Sequence, residues 1–132
     1  MWIASTLGFY SLAEWEGKKW FRVRCKVDAE NLMKATGLPS DRFVETQQCD
    51  YPWRVRCDSE EEYQLCFKVL SETVDYWKFK PEISKRPDQA PKHDGYMALW
   101  AWLAERFGGG SYDWMHQEWK RRKRRGRQVF RG

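Results

Sequence analysis

Four arginines and a lysine stand where they could grip a phosphate. Phe21-Arg22-Val23-Arg24-Cys25 and Trp53-Arg54-Val55-Arg56-Cys57 share one order of aromatic, Arg, Val, Arg and Cys. In a strand, successive side chains point to opposite faces. Phe21, Val23, Cys25 and Val27 therefore point one way, as do Trp53, Val55 and Cys57. Arg22, Arg24 and Lys26, with Arg54 and Arg56, point the other way. If the two strands are neighbours, these five cations share one face of a sheet. Guanidinium groups pair with phosphate oxygens, and Trp20, of the same parity as Arg22, could stack a base. The plain alternative is a solvated face whose arginine stems lie over the sheet or pair with acids such as Glu45.

A second basic feature is the run Lys120, Arg121, Arg122, Lys123, Arg124 and Arg125. It follows a segment that reads as a helix from Tyr112 to Arg125, capped at Ser111 or Asp113, with a frayed end from Arg127 to Gly132. Such a run can bind a nucleic-acid backbone by releasing condensed counterions. It can also dock on an acidic protein surface, with Tyr112, Met115 and Trp119 as apolar anchors, or lie on a membrane surface. A disordered solubilising tail is the plain alternative.

The chain has 132 residues, 24 basic and 19 acidic, for a net charge of +5. Residues 120–132 hold eight Lys or Arg and no acid. The preceding residues carry 16 basic and 19 acidic side chains, a net −3. The sequence pI of about 9.1 is thus a property of the tail, and any inference from basicity applies there first. The hydrophobic share of 42%, with nine Trp and seven Phe, suffices for a core. No run approaches the ~20 apolar residues of a membrane span. No basic region followed by an apolar run opens the chain, so a cytoplasmic protein is expected.

Cysteines stand at 25, 49, 57 and 66, without a Cys-x-x-Cys pair and away in sequence from His93 and His116. Cys25, Cys57 and Cys66 fall on apolar faces and read as free buried thiols. Asp50-Tyr51 and Asp75-Tyr76 could converge with His93 on a divalent cation, but such residues more often make turns and helix ends. Cys49 lacks a histidine at a recognisable spacing. The glycines at 108–110 follow a helix rather than a strand, unlike a phosphate-cradling loop. No metal, cofactor or catalytic centre is expected.

The elements that position these groups follow in chain order. Trp2 to Leu12 reads as one strand, with Gly8 a bulge or a close backbone approach. A turn from Glu14 to Lys19 leads to a strand from Trp20 to Val27. Asp28 is an expected N-cap of a short helix ending at Gly37. Arg42 to Gln48 reads as a short polar edge strand, and Tyr51 to Cys57 as the fourth strand. Ser59 and Glu62 match a capping box for a helix with Tyr63, Cys66, Phe67, Leu70 and Val74 on its apolar stripe. Residues 81–92 read as an exposed loop. A third helix, from Gly95 to Phe107, carries Tyr96, Leu99, Trp100, Leu103 and Phe107. Trp100 and Trp102 lie on opposite sides of it, so one of them, taken as Trp102, is expected to face solvent or a partner.

These residues resemble a family. Met1-Trp2-Ile3 with Gly8-Phe9-Tyr10-Ser11, then Phe21-Arg22-Val23-Arg24, Asp50-Tyr51-Pro52-Trp53-Arg54, and Val74-Asp75-Tyr76-Trp77-Lys78-Phe79-Lys80 are similar to motifs of a widespread group of small bacterial and phage proteins of unknown function. The similarity covers residues 1–107. It implies a bacterial or phage setting and no particular activity. Cys49 stands where that pattern has Thr, and the glycine break with the basic tail departs from it.

The expected fold is α+β: two ββα units forming a four-stranded antiparallel sheet with helices on one face, plus a third helix and a basic C-terminal extension. The expected domains are residues 1–107, a glycine-rich linker at 108–111, and a basic, helical tail at 112–132. The expected function is non-enzymatic nucleic-acid binding, to DNA or RNA, through the tail and the sheet arginines. The alternative is a protein-interaction or inhibitor module, such as a phage anti-defence protein, bound to an acidic partner surface.

Overall fold

Apolar alternation and tight turns build a five-stranded antiparallel sheet. The computed structural model describes residues 1–74, 78–107 and 113–129. The strands are β1 (Trp2–Ser5), β2 (Gly8–Trp15), β3 (Lys18–Val23), β4 (Phe43–Glu45) and β5 (Trp53–Cys57), in spatial order β1-β2-β3-β5-β4. The helices are α1 (Lys26–Thr36), α2 (Glu60–Glu72), α3 (Phe79–Lys85), α4 (His93–Phe107) and α5 (Asp113–Val129). The chain divides into two compact units, Met1–Gln89 and Ala90–Gly132.

The first expected strand is in fact a hairpin, so among the described residues the sheet has five strands rather than four. The chain reverses at Thr6 and Leu7, where the Leu7 amide donates to the Ser5 hydroxyl at 3.0 Å and the Thr6 amide to the Thr73 carbonyl at 3.0 Å. Gly8 is the close approach that the sequence suggests. A Cβ there would sit 2.4 Å from Asp28 Cγ. The Glu16-Gly17 turn between β2 and β3 has φ of 51° and 72°, the sense that matches strand twist.

The strand before α1 ends at Val23, short of Val27. Cys25 takes the N-cap position, without a side-chain cap, and is exposed. Asp28 is therefore not the cap. It lies in the first turn, 1% exposed, and its carboxylate accepts from the Phe9 amide at 3.2 Å and from Gln89 Nε2 at 2.9 Å. The Tyr10 hydroxyl donates to the Asp28 carbonyl at 2.6 Å. Tertiary bonds to β2 win over the local amides that a cap would satisfy. Gly37, at φ 68°, ends α1 as expected, its amide donating to Met33.

At α2 the Ser59 hydroxyl accepts from the Glu62 amide at 3.2 Å. Glu62 reaches back to the Asp58 amide at 2.9 Å, closing the expected capping box one residue earlier than usual. Tyr10, Phe21, Val23, Val55 and Cys57 of the sheet pack with Ala29 and Leu32 of α1 and Cys66 and Leu70 of α2. Both helices thus cover one face. Val74 lies past the end of α2 and is exposed, so it does not join the stripe.

The segment expected as an exposed loop is ordered and packed. It forms α3 and a 3₁₀ turn over Ala90–Lys92, and Ile83 and Gln89 are fully buried. Pro81 falls in the first turn of α3, where a missing amide hydrogen costs no helical bond. Gln89 is anchored by its side chain, which also donates to the Leu7 carbonyl at 2.9 Å.

In the second unit, α4 and α5 pack together. The expected apolar stripe of α4 is largely outward: Leu99, Leu103 and Phe107 are exposed. Its covered side centres on Ala101, with Ala98 and Ala104 half-buried beside it. Small side chains let a helix pack closely, which hydropathy alone does not register. The second unit also holds the helix expected from Tyr112, which runs over Asp113–Val129. The glycine break at 108–110, Ser111, Tyr112 and residues 130–132 lie outside the described residues. No helix among the described residues is long and apolar enough to cross a membrane.

Candidate functional site

The register of β3 on β5 builds the site. It sets Trp20 opposite Arg56, Phe21 opposite Val55, Arg22 opposite Arg54 and Val23 opposite Trp53. Arg22 and Arg54 are the equivalent residues of the two sequence repeats. Two copies of one pattern, paired antiparallel about an equivalent position, are related by a local twofold at that position. The repeat therefore places two like charges face to face, an unfavourable pair unless an anion lies between them.

The arginines point away from the helices, onto the open face of the sheet. The same face carries Trp2 on β1, Phe9, Ser11 and Trp15 on β2, and Trp20 on β3, by the ladder registers. Arg22 Nη2 donates to the Ser11 hydroxyl at 2.8 Å. Its Cζ lies 4.7 Å from the centre of the Tyr51 ring, and that of Arg24 lies 4.4 Å away. Arg54 Nε donates to the Tyr51 carbonyl at 3.2 Å, and its Nη2 stands 3.5 Å from Cys49 Sγ. Tyr51 is 8% exposed, so the ring is enclosed rather than offered. Among the described residues, Arg22, Arg24 and Arg54 have no carboxylate partner. The buried Nε of Arg22 has no hydrogen-bond acceptor.

Arg56 and Lys26 behave differently. Arg56 Nε donates to Asp58 at 2.6 Å, and Asp41 lies 3.5 Å from its Nη2. The hydrogen bond from Arg56, with a second from Lys18, holds the Asp58 carboxyl down at about 2. The hydrogen bond to Asp58 raises Arg56 above the usual guanidinium value. Arg42 ties Glu62 into the same cluster at 2.9 Å. The solvated-and-paired reading therefore describes Arg56, although its acids are Asp58 and Asp41 rather than Glu45, whose side chain meets Gln47 at 3.4 Å. Lys26 is not on the sheet. Because β3 stops at Val23, Lys26 begins α1, where it faces Glu30 at 3.9 Å. Arg24 also lies past the strand end, yet its guanidinium still reaches Tyr51.

The sequence reading missed Tyr51, Trp2, Phe9 and Trp15 as members of this face. Parity would have placed Trp2, Phe9 and Trp15 once the first strand was split at Thr6. Nothing in the sequence turns Tyr51 toward the arginines, because strand parity assigns it to the core side.

On α5, Lys120 and residues 121–125 are all exposed. Glu118 pairs with Arg121 and, at 3.1 Å, with Arg122. Lys123 Nζ stands 5.0 Å from the centre of the Trp119 ring. Six consecutive residues at about 100° each encircle a helix, so this charge has no single face. Trp102 of α4 is 49% exposed, with Phe107 at 6.5 Å and Arg106 4.9 Å from its ring. Tyr112 lies outside the described residues, as does the side chain of Met115.

Asp75 and Tyr76 also lie outside the described residues. Asp50 is exposed, and His93 has Asp94 at 3.9 Å. Among the described residues no group of three His, Cys, Asp or Glu could hold a metal ion. Cys57 and Cys66 are buried with sulfurs 3.9 Å apart, and their contact together with burial pushes the Cys66 thiol well above its usual value. Cys49 Sγ lies 3.3 Å from the Thr46 carbonyl and 3.2 Å from that of Tyr51. Comparison of the chain with protein-family models, curated proteins and solved structures gave no match.

Proposed function

We propose that this protein is a non-enzymatic nucleic-acid-binding accessory protein, in the bacterial or phage setting that the resemblance implies. The observation that supports the reading best is the unneutralised pairing of Arg22 with Arg54 beside Arg24, on a sheet face that also presents indole rings. Arginines without acids need an anion, and rings beside them suit bases rather than inorganic ions. The α5 run supplies sequence-independent attraction to phosphate backbones.

The test is titration of the full chain against labelled single- and double-stranded DNA and RNA at two salt concentrations. Binding that weakens steeply with salt and tolerates many sequences is expected. Absence of binding to all four would end this reading. The exposed Leu99, Trp102, Leu103 and Phe107 of α4 favour a second one, a protein-interaction or inhibitor module of the phage anti-defence kind. Contact through such anchors would weaken much less with salt.

A further inference from the structure

We propose that the open sheet face takes a single strand rather than a duplex, with one backbone phosphate held between Arg22 and Arg54 and the flanking bases against Trp2 and Trp20. This rests on the nucleic-acid reading above and gives it a substrate class.

The ladder registers carry the argument. Trp2 pairs with Ser11, Ser11 with Arg22, and Arg22 with Arg54. These four residues form one row across β1, β2, β3 and β5. Adjacent strands lie about 4.8 Å apart, so Trp2 stands roughly 10 Å from Arg22 along the row. Trp20 is two residues from Arg22 on β3, roughly 7 Å away. Directly opposed residues have Cβ atoms about 5 Å apart, so the two arginine side chains leave the sheet within reach of one phosphate. Aromatic rings thus stand on two sides of a phosphate-sized charge. The β2 residues opposite Arg22 and Trp20 are small: Ser11, which is 2% exposed and takes the Arg22 bond, and Ala13.

The arginine is held ready. Its bond to Ser11 and its contact with Tyr51 fix the plane of the Arg22 fork. The rings are available. Trp2 is 62% exposed, and the exposed Trp15 supports Trp20 from 6.4 Å, with the Trp20 indole donating to the Trp15 carbonyl. Stacking on an indole needs a free base face, and in a duplex those faces are covered by neighbouring pairs. A duplex could use the arginines but not the rings.

The experiment follows the full chain by fluorescence anisotropy with a labelled thymidine oligonucleotide of about 12 residues. A mixed-sequence duplex of the same length serves as comparison, at about 50 and 200 mM salt. The variants are Trp2→Ala, and Arg22→Ala combined with Arg54→Ala. The single strand is expected to bind tighter than the duplex. Trp2→Ala should weaken the single strand at least about fivefold and leave the duplex unchanged. The arginine pair should weaken the single strand more than about tenfold. Equal affinity for both forms, with Trp2→Ala silent, would overturn the proposal yet leave nucleic-acid binding standing through α5. No binding of either form would remove both. If the arginine pair proves misfolded by circular dichroism, the exposed Trp2 variant decides alone.

Discussion

On β3, β5 and the turn after β3, three guanidinium groups are held by a hydroxyl, a carbonyl and an enclosed tyrosine ring, and no acid among the described residues answers them. On α5, six cations stand in solvent around a helix, and Glu118 already answers two of them. Both regions are basic, yet they differ in what fixes the charge. The sheet arginines are positioned by the fold, so they can select a shape. The α5 cations are positioned only by a helix that their own repulsion opposes, so under the proposed function they would attract phosphate without selecting. Total charge ranks α5 first, whereas geometry ranks the sheet first.

The strongest way to break this comparison is to disturb the platform and leave α5 alone. Gly8→Ala forces a Cβ into the Asp28 carboxylate and is expected to cost about 3 kcal/mol in urea unfolding. Sheet-face binding should weaken with it, and α5 attraction should survive wherever the chain stays folded. Unchanged stability would mean that Asp28 can move aside.

Next in size is the contrast between the two charge sets. Losing Arg22 and Arg54 together should lower single-strand affinity more than about tenfold. Replacing Lys120, Lys123 and Arg124 with Gln should instead reduce the salt slope by roughly 0.7 to 0.9 per lost phosphate contact and keep the ratio of single strand to duplex. The reverse result, with the ratio following α5, would exchange the roles assigned to the two regions.

Ser59→Ala removes the cap of α2, the helix that backs β5, and should lower stability by about 1 kcal/mol. Thermal melting would show it, with the arginine face otherwise unaltered.

Acid offers a subtler probe. The Asp58 carboxyl is held at about 2 against an ordinary 3.8. A depressed carboxylate stabilises the fold fully above its ordinary value, and the effect is lost as pH falls from about 4 to about 2. Melting across that window should show a steeper loss in the natural chain than in Asp58→Asn. The same variant should release Arg56 and raise single-strand affinity slightly. The smallest effect belongs to Arg56→Ala, which should change binding less than about twofold because Asp58 and Asp41 already occupy that guanidinium. A large loss there would show that the ion pairs open for ligand.

Local patterns carried much of the fold. The Ser59 cap, the Gly37 stop and the inward sides of Phe21, Val23, Val55 and Cys57 depend on neighbours within a few residues, which the sequence displays. The hairpin at Thr6 was hidden because no Asn-Gly or Gly-Gly pair marks it, and its reversal is fixed by Ser5 and by the distant Thr73. The α3 segment was hidden because its prolines and charges read as loop, while Gln89 is held by the distant Leu7 and Asp28. The outward side of α4 was misread because leucines outrank alanines in hydropathy, although alanines pack closer.

The candidate site divides in the same way. Strand periodicity by itself determined that Arg54 and Arg56 share a face of β5 and that Arg22 stands on the opposite face from Phe21 and Val23 on β3, because side chains alternate whatever the strand pairs with. Pairing decided the rest. Only the register of β3 on β5 sets Arg22 against Arg54, and only tertiary packing hands Arg56 to Asp58 and turns Tyr51 toward Arg22 and Arg24. A charge is written in the sequence, but its partner is chosen by contacts between residues far apart along the chain.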